Sequence, residues 1–325
     1  MTAVDTHFQV DLERLRRAAE QAEPKLLDGK RISQALLEQV CEATELLGER
    51  GIVPQLNVVR VGNDPASAIY VRHKIRACEN VGIGSSHIHL PPQITQRDLL
   101  AKLERLNGDD AVNGILLQLP LSEHHNPNEA IAAIDPQKDV DGFHPGNLGF
   151  LMAGHAELEP CTPRGIMTMF RAAGVDFKGK RAVVIGRSMI VGRPMAQMLV
   201  RAHATVTICH RYTEELAEHV RNADIIVVAT GVPGLIKGEW IKPGAVIADV
   251  GMNRSEDGKL CGDVEFDAAR ERAALITPVP KGVGPMTVAT LMENTIRATC
   301  AHHNLAIRGG EVYEDVDALC GPLDQ

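Results

Sequence analysis

Three polar side chains, Ser67, Tyr70 and Lys74, are spaced three and four residues apart in the stretch ASAIYVRHK (66–74). On a helix this spacing places all three on one face. Burial in a partly apolar pocket would lower the lysine pKa from about 10.4 toward neutrality. Lys74 could then act as a base, with Tyr70 donating to the neutral amine. The alternative is the solvated face of an ordinary amphipathic helix.

Polar residues also stand where predicted strands end. The stretch GILLQLPLSEHH (114–125) places Gln118 at the end of a buried strand, and the turn-rich loop DPQKDVDGFHPGN (135–147) contains Asp141. Ligands of α/β proteins bind outside the carboxyl ends of strands, so both residues could face a ligand. Asp141 could equally be a turn residue before Gly142.

The same loop does not predict a metal site. Asp135, Asp139 and Asp141 do not match an EF-hand loop, which needs Gly at its sixth position and Glu at its twelfth. His124 and His125 are adjacent, so their side chains point in different directions. We therefore expect no bound metal.

A candidate nucleotide site begins in the second half of the chain. The stretch AVVIGRSMIVGRPMAQMLV (182–200) runs from a strand through a turn into a helix, but Gly186 and Gly192 do not match GxGxxG. A tight turn without a ligand is thus the alternative. The next strand ends in His210 and Arg211 instead of the carboxylate of NAD-selective enzymes. Arg211, with Arg187, would suit the 2′-phosphate of NADP, unless it points into solvent.

The elements that must position these residues alternate between short apolar strands and amphipathic helices. Predicted strands cover 55–62, 85–90 and 113–120, and the pattern restarts at Lys180. Buried strands separated by helices indicate parallel sheets, so we expect two α/β domains. Another strand end, in VVATGVPG (227–234), brings Gly231 to a place where backbone could approach a cofactor.

Three boundaries can be predicted from local patterns. Phe8, Leu12 and Leu15 at helical spacing predict an N-terminal amphipathic helix that serves as a packing or oligomer arm. Thr162 is expected to cap a helix whose first residue is Pro163. The acidic segment after Gly309 is expected to be loose.

Composition excludes several classes of function. The 325 residues are 44% hydrophobic and 23% charged, an ordinary soluble globular profile. A formal charge of −8 and 3% aromatic residues argue against nucleic acid as a partner. Seven cysteines without a CxxC pair predict reduced thiols in a cytosol. There is no apolar run of about 18 residues, so we expect no membrane association.

Six motifs, in order, resemble the bifunctional methylenetetrahydrofolate dehydrogenase/methenyltetrahydrofolate cyclohydrolase family. They are VGNDPASAIYVRHK, GILLQLPL, KDVDGFHPGNLG, PCTPRG, VVIGRSMIVGRP and ITPVPKGVGPMTVATLMENT, and the similarity runs from about Leu26 to Thr299. The resemblance implies oxidation of 5,10-methylenetetrahydrofolate with NADP, then hydrolysis of the methenyl form to 10-formyltetrahydrofolate. It further implies a role in one-carbon metabolism and purine biosynthesis, and a cytoplasmic homodimer that needs no metal.

The resemblance also implies a division of the chain. An N-terminal helical extension would cover 1–25 and an acidic tail 304–325. Residues 26–162 plus 283–303 would form a folate-binding α/β domain, to which the last helix returns. Residues 163–282 would form a Rossmann-type parallel-sheet domain for NADP.

Individual roles follow from the matched motifs. Lys74 corresponds to the catalytic lysine, Gln118 would orient water or tune the amine, and Tyr70 would stack on the folate ring. Asp141 would accept hydrogen bonds from the pterin ring NH and amino group. Further folate contacts are implied for Pro280 and Gly282. Cofactor contacts are implied for Gly186, Arg187, Ser188, Ile190, Val191, Gly192, His210, Arg211, Thr230 and Gly231.

Three residues depart from the family pattern. Lys281 stands where VPGGVGP is usual, Ser122 replaces a proline in QLPLP, and Arg211 replaces a frequent serine. Lys281 could impair the cyclohydrolase, which leaves a monofunctional dehydrogenase as one alternative. A non-catalytic nucleotide-sensing protein is another. The intact Lys74, Gln118 and Asp141 argue against the sensor.

Overall fold

The chain forms two α/β units in the computed structural model, which describes residues 7–255 and 257–314. Of the described residues, unit 1 contains 7–11, 36–161 and 291–314, and unit 2 contains 12–35 and 162–290. Each unit has its own parallel sheet. The predicted fold class is confirmed.

Helices and strands alternate along most of the chain. The helices are α1 (Leu12–Glu20), α2 (Gly29–Gly48), α3 (Pro65–Asn80), α4 (Gln96–Asn107), α5 (Pro127–Ala132), α6 (Pro145–Ala153), α7 (Cys161–Ala172), α8 (Gly192–Arg201), α9 (Leu216–Arg221), α10 (Phe266–Arg272) and α11 (Val283–His302). The strands are β1 (Gln55–Val61), β2 (Gly84–Leu90), β3 (Gly114–Gln118), β4 (Arg181–Ile185), β5 (Thr205–Cys209), β6 (Ile225–Val228), β7 (Val246–Asp249), β8 (Asn253–Arg254), β9 (Leu260–Cys261), β10 (Leu275–Ile276), β11 (Leu305–Arg308) and β12 (Glu311–Glu314).

The sheet of unit 1 has the order β2-β1-β3 with all strands parallel. β1 is buried along nearly its whole length because both of its faces are covered, which its run of leucine and valine anticipates. β2 lies at an edge and is more exposed. On α4, Leu99, Leu103 and Leu106 recur on one face and pack into the core of this unit.

The sheet of unit 2 has the parallel order β10-β7-β6-β4-β5. From β4 the chain first adds β5 on one side and then β6 on the other, so the strand order reverses at β4. This is the arrangement of a doubly wound nucleotide-binding sheet, and its crevice lies at the carboxyl ends of β4 and β6.

The two ends of the described chain pair with each other in unit 1. Phe8 forms a parallel bridge with Ile307, and the Ile307 amide donates to the His7 carbonyl at 2.9 Å. β11 and β12 form an antiparallel hairpin. Two predictions are therefore wrong in part. The N-terminal helix begins only at Leu12, because Phe8 is extended to reach β11, and the segment after Gly309 continues into a strand before residues 315–325, which lie outside the described part.

One helix boundary differs from its prediction. α7 begins at Cys161, so Thr162 lies inside its first turn and is not the cap. The Thr162 hydroxyl instead lies 3.0 Å from the hydroxyl of Thr287. A tertiary partner has therefore replaced the local role that the sequence suggested.

The last long helix, α11, contributes to both units, with the division near Leu291. From this point the helix packs in unit 1, where the Asn294 amide donates to the carbonyls of Val140 and Glu159. The predicted return of this helix to the first domain is confirmed. Within residues 7–255 and 257–314, no helix is long and apolar enough to cross a membrane.

Candidate functional site

Lys74 and Gln118 are joined by a hydrogen bond in unit 1. α3 starts at Pro65 because the Asp64 carboxylate accepts from the Ser67 amide at 2.7 Å, and this cap sets the face on which Lys74 lies. The partly buried Lys74 Nζ donates to Gln118 Oε1 at 3.2 Å. Gln118 ends β3, and its Nε2 donates to the Leu119 carbonyl at 2.7 Å. The second bond turns the amide oxygen toward the lysine.

Asp141 lies within electrostatic reach of the same lysine. Burial raises the pKa of the Asp141 carboxyl. The positive charge of Lys74 opposes this effect but does not cancel it. Tyr70 lies one helical turn before Lys74 and is 44% exposed, which leaves its ring accessible. The structure thus brings together Lys74, Gln118 and Asp141, which the sequence placed on three separate elements.

The structural roles of two residues that hold the Asp141 loop, Asp139 and Lys138, were missed at the sequence level. Asp139 is buried, and its Oδ2 accepts from the His144 amide at 2.7 Å and from Asn147 Nδ2 at 3.0 Å. Burial raises the pKa of Asp139 to about 6. Lys138 Nζ donates to the carbonyls of Asn107 and Asp109, both at 2.8 Å, and so fastens the loop to the end of α4. The alternation of charged and apolar residues in KDVDG is the sequence feature that could have indicated these buried polar roles.

The glycines of the candidate nucleotide turn in unit 2 cannot carry side chains. Gly186 has φ +120°, and a Cβ there would lie 2.3 Å from the Ala229 carbonyl oxygen. A Cβ on Gly192 would lie 2.1 Å from the Gly186 carbonyl oxygen. Ser188 Oγ accepts from the Val191 amide at 3.2 Å and closes the turn. The turn therefore sits tightly against the start of α8, whose N-terminus favours anions.

A second loop reaches the same crevice from β6 and is held by a carboxylate that the sequence did not reveal. Asp263 Oδ2 accepts from the Thr230 amide at 2.6 Å, the Thr230 hydroxyl at 2.8 Å and the Gly231 amide at 2.9 Å. Asp249 accepts in turn from the amides of Asp263 and Val264. Burial raises the pKa of Asp249 to about 6. Their sequence separation from the loop left no local signal.

The end of β5 presents cationic and aromatic groups. The His210 amide donates to Thr213 Oγ1 at 2.8 Å, which forms a turn. Arg211 is exposed, with its guanidinium 4.6 Å from the ring centroid of Tyr212. Arg187 and Ile190, on the glycine turn, are also exposed. Residues 205–213 contain no carboxylate, so this end of the strand is suited to an anionic group.

Lys281 has an unusual backbone in unit 2. It is exposed and has φ +85°, a left-handed conformation that favours glycine. Its carbonyl accepts from the Lys30 amide at 3.0 Å. The neighbouring Pro280 follows a cis peptide bond, and a Cβ on Gly282 would lie 2.5 Å from the Pro278 carbonyl oxygen. The backbone of this turn is therefore closely defined.

The described residues contain no cluster of side chains that could bind a metal ion. Among those residues, no group of three or more histidine, cysteine, aspartate or glutamate side chains is placed to hold a metal ion. The carboxylate of Asp139 instead accepts hydrogen bonds from the His144 amide and the Asn147 side chain.

The doubly wound sheet with its glycine turn defines a dinucleotide-binding α/β protein, and unit 1 adds a second site with a lysine and a carboxylate. Comparison with known proteins gives the family. The sequence profile of the NAD(P)-binding domain of tetrahydrofolate dehydrogenase/cyclohydrolase matches residues 160–303, and that of the catalytic domain matches residues 27–141. The chain belongs to the tetrahydrofolate dehydrogenase/cyclohydrolase family, as the sequence motifs predicted.

Relatives and solved structures agree with this assignment. The chain is 54% identical over 279 residues to the bifunctional protein FolD of Neisseria gonorrhoeae, covering 86% of this chain and 98% of the relative. A crystal structure of the bifunctional enzyme FolD from Campylobacter jejuni is 48% identical, with a TM-score of 0.83 and coverage of 84% and 98%. The Trypanosoma brucei enzyme, complexed with NADP cofactor and an inhibitor, is 40% identical, with a TM-score of 0.81 and coverage of 86% and 98%. These relatives lend no support to a monofunctional dehydrogenase or a nucleotide sensor.

Proposed function

We propose that the protein oxidises 5,10-methylenetetrahydrofolate to 5,10-methenyltetrahydrofolate with NADP+ and then hydrolyses the product to 10-formyltetrahydrofolate. The observation that carries this proposal is the Lys74–Gln118 hydrogen bond beside Asp141, in a chain of this family. These are the groups that proton transfer and pterin recognition require. The activity belongs to one-carbon metabolism, and through the formyl product to purine biosynthesis.

The first step needs alignment more than acid or base catalysis. The carbon that loses hydride is flanked by two nitrogens, whose lone pairs stabilise the cation as it forms. Bound NADP+ supplies the hydride acceptor. Asp141 accepts from the pterin ring and fixes its position, and Tyr70 stacks on the folate ring. Pro280 and Gly282 are proposed as further folate contacts.

The second step needs proton handling. Water adds to the cationic carbon and loses one proton, which gives a neutral hydroxyl adduct. One carbon–nitrogen bond then opens as the hydroxyl proton leaves and the departing nitrogen gains a proton, so that the formyl group forms and one proton is released overall. Lys74 is placed to take a proton from the oxygen and to return one to the nitrogen, and Gln118 holds the amine by accepting its hydrogen bond at 3.2 Å. The amide oxygen of Gln118 could also orient the attacking water.

NADP is the proposed cofactor, and the residues present fit it. The tight glycine turn leads into the N-terminus of α8, which favours a phosphate, and the exposed Arg187 and Arg211 suit a 2′-phosphate. Gly186, Gly192, Thr230, Gly231 and their neighbours Ser188, Ile190, Val191 and His210 form the proposed contact set. The absence of a carboxylate after β5 favours NADP over NAD.

The proposed assembly is a homodimer in the cytoplasm, and the division into domains at 163 and 282 remains a prediction. The edge strand β2 supports a dimer, because an edge strand offers backbone groups for pairing with a second copy. Sedimentation velocity would test the dimer. A single monomeric species at micromolar concentration would contradict it.

The decisive experiment compares wild type with Lys74→Ala in both half-reactions. Cyclohydrolase turnover should fall by about 100-fold or more, because the group that moves the proton is lost. The Kd for 5,10-methenyltetrahydrofolate should stay close to that of wild type. Arg76→Ala, an exposed cation on the same helix, is the control. Equal loss of folate affinity would make Lys74 structural, and no reduction of NADP+ with methylenetetrahydrofolate would overturn the proposed function.

A further inference from the structure

Asn294, a fully buried residue of α11, touches the backbone next to the proposed pterin ligand. Its Nδ2 donates to the Val140 carbonyl and to the Glu159 carbonyl, both at 2.9 Å. Asp141 follows directly after Val140. The amide therefore holds the residue immediately before the carboxylate that is to recognise the folate ring.

The two backbone segments that this amide joins lie in direct contact. The Cys161 amide donates to the Asp141 carbonyl at 3.3 Å, and Cys161 Sγ donates to the Val140 carbonyl at 3.2 Å. A Cβ on Gly142 would lie 2.5 Å from the Glu159 carbonyl carbon. The segments are thus packed without room for adjustment, and α11 supplies a cross-link from outside them.

The chemistry of the Asn294 amide indicates that its two N–H donors, and not its oxygen, stabilise this site. Within the described part of the chain, Asn294 Oδ1 is buried and has no hydrogen-bond partner. Rotating the amide would place that oxygen against two carbonyl oxygens, which is unfavourable. A buried oxygen without a partner costs free energy, and an apolar residue of the same size would avoid this cost. The free energy that offsets this cost must therefore come from the hydrogen bonds that the two N–H groups of the amide donate.

We propose that Asn294 is a positioning residue for substrate binding, which sets the orientation of the Asp141 carboxylate by fixing the carbonyls of Val140 and Glu159. This inference deepens the proposed function and rests on it. A recognition carboxylate contributes only when it is held close to its productive geometry, so a small displacement of the backbone weakens binding.

The first test is Asn294→Leu, which keeps the approximate size and removes both donors. The KM for methylenetetrahydrofolate and the Kd for 5,10-methenyltetrahydrofolate should rise about tenfold. The KM for NADP+ should change little, because the proposed cofactor residues all lie in unit 2. Leu103→Ala, a buried substitution on α4 of the same unit, is the stability control: it should lower Tm without raising the folate KM.

The second test is Asn294→Asp, whose carboxyl donates only when protonated. Its folate affinity should recover as the pH is lowered, because one O–H then replaces one N–H as donor to a carbonyl. The leucine variant has no such donor and should show no recovery, so it corrects for titration of Asp139 and Asp141. A merely structural role would change Tm without producing this difference between the two pH profiles.

The outcomes separate the inference from the function. Wild-type turnover in both half-reactions, with unchanged folate KM in both variants, would overturn the positioning role and leave the function intact. Parallel rises in the KM for folate and for NADP+ would also overturn it, as a sign of general disruption. Wild-type protein without turnover would overturn both.

Discussion

At the scale of single residues, Lys281 occupies a backbone conformation suited to glycine. Its φ of +85° is unfavourable for a residue with a Cβ, and because the side chain is exposed, burial offsets little of this cost. We expect Lys281→Gly to raise the free energy of unfolding by about 0.5–1 kcal/mol, after the greater entropy of unfolded glycine is subtracted.

Urea denaturation would measure this change. Lys178→Gly serves as the control, because Lys178 is also exposed but is not among the described residues with positive φ. The control should be destabilised. A loss of stability in both variants would show that the Lys281 backbone is not strained.

Asp139 makes a residue-scale prediction about pH. Burial raises its folded pKa to about 6, above the unfolded value of about 3.9. Its contribution to stability is therefore fully present below about pH 4 and is lost as the pH rises through about 6. Relative to Asp139→Asn, wild type should lose up to about 3 kcal/mol between these limits.

Unfolding free energies measured across this pH range for both proteins would check the prediction. Most other groups cancel in the difference, although the charge of Asp141 contributes to the Asp139 shift and must be included. A difference that is independent of pH would mean that Asp139 titrates normally in the folded protein.

At the scale of elements, the turn between β4 and α8 depends on Gly192. A Cβ there would lie 2.1 Å from the Gly186 carbonyl oxygen, so Gly192→Ala must open the turn. We expect NADP+ affinity to fall at least about tenfold, because the amides that should face phosphate move apart. Gly149→Ala, on α6 with open space around its Cβ, should leave the affinity unchanged. Isothermal titration with NADP+ distinguishes the outcomes.

Some of these elements and site residues could be predicted from the sequence alone, and others could not. The buried strands and the face of α3 that carries Lys74 were predictable, because apolar runs and helical spacing are local properties. Gln118 and Asp141 could be predicted as candidate ligand contacts because ligands of α/β folds bind at strand ends. Asp263 could not, since the amides that it accepts from lie 32 and 33 residues earlier in the chain. Asn294 was hidden for the same reason.

At the scale of the whole molecule, the paired chain ends lie outside the stretches that match the family profiles, 27–141 and 160–303. Phe8 is buried against this pairing. We expect Phe8→Ala to lower the free energy of unfolding by about 3–5 kcal/mol, because it leaves a cavity. Gln9→Ala, at the exposed neighbouring position, is the control and should have little effect. Equal stability of the two variants would show that the N-terminal arm contributes nothing.

The Phe8–Ile307 bridge has a consequence for synthesis on the ribosome. The partner of Phe8 is made almost 300 residues later, so the Phe8 ring has no pairing partner until β11 is synthesised. Unit 2, whose described residues end at 290, can be completed earlier, whereas unit 1 begins first and closes last. A nascent chain that stalls before β11 therefore exposes an unpaired segment around Phe8, which a chaperone or a protease can bind.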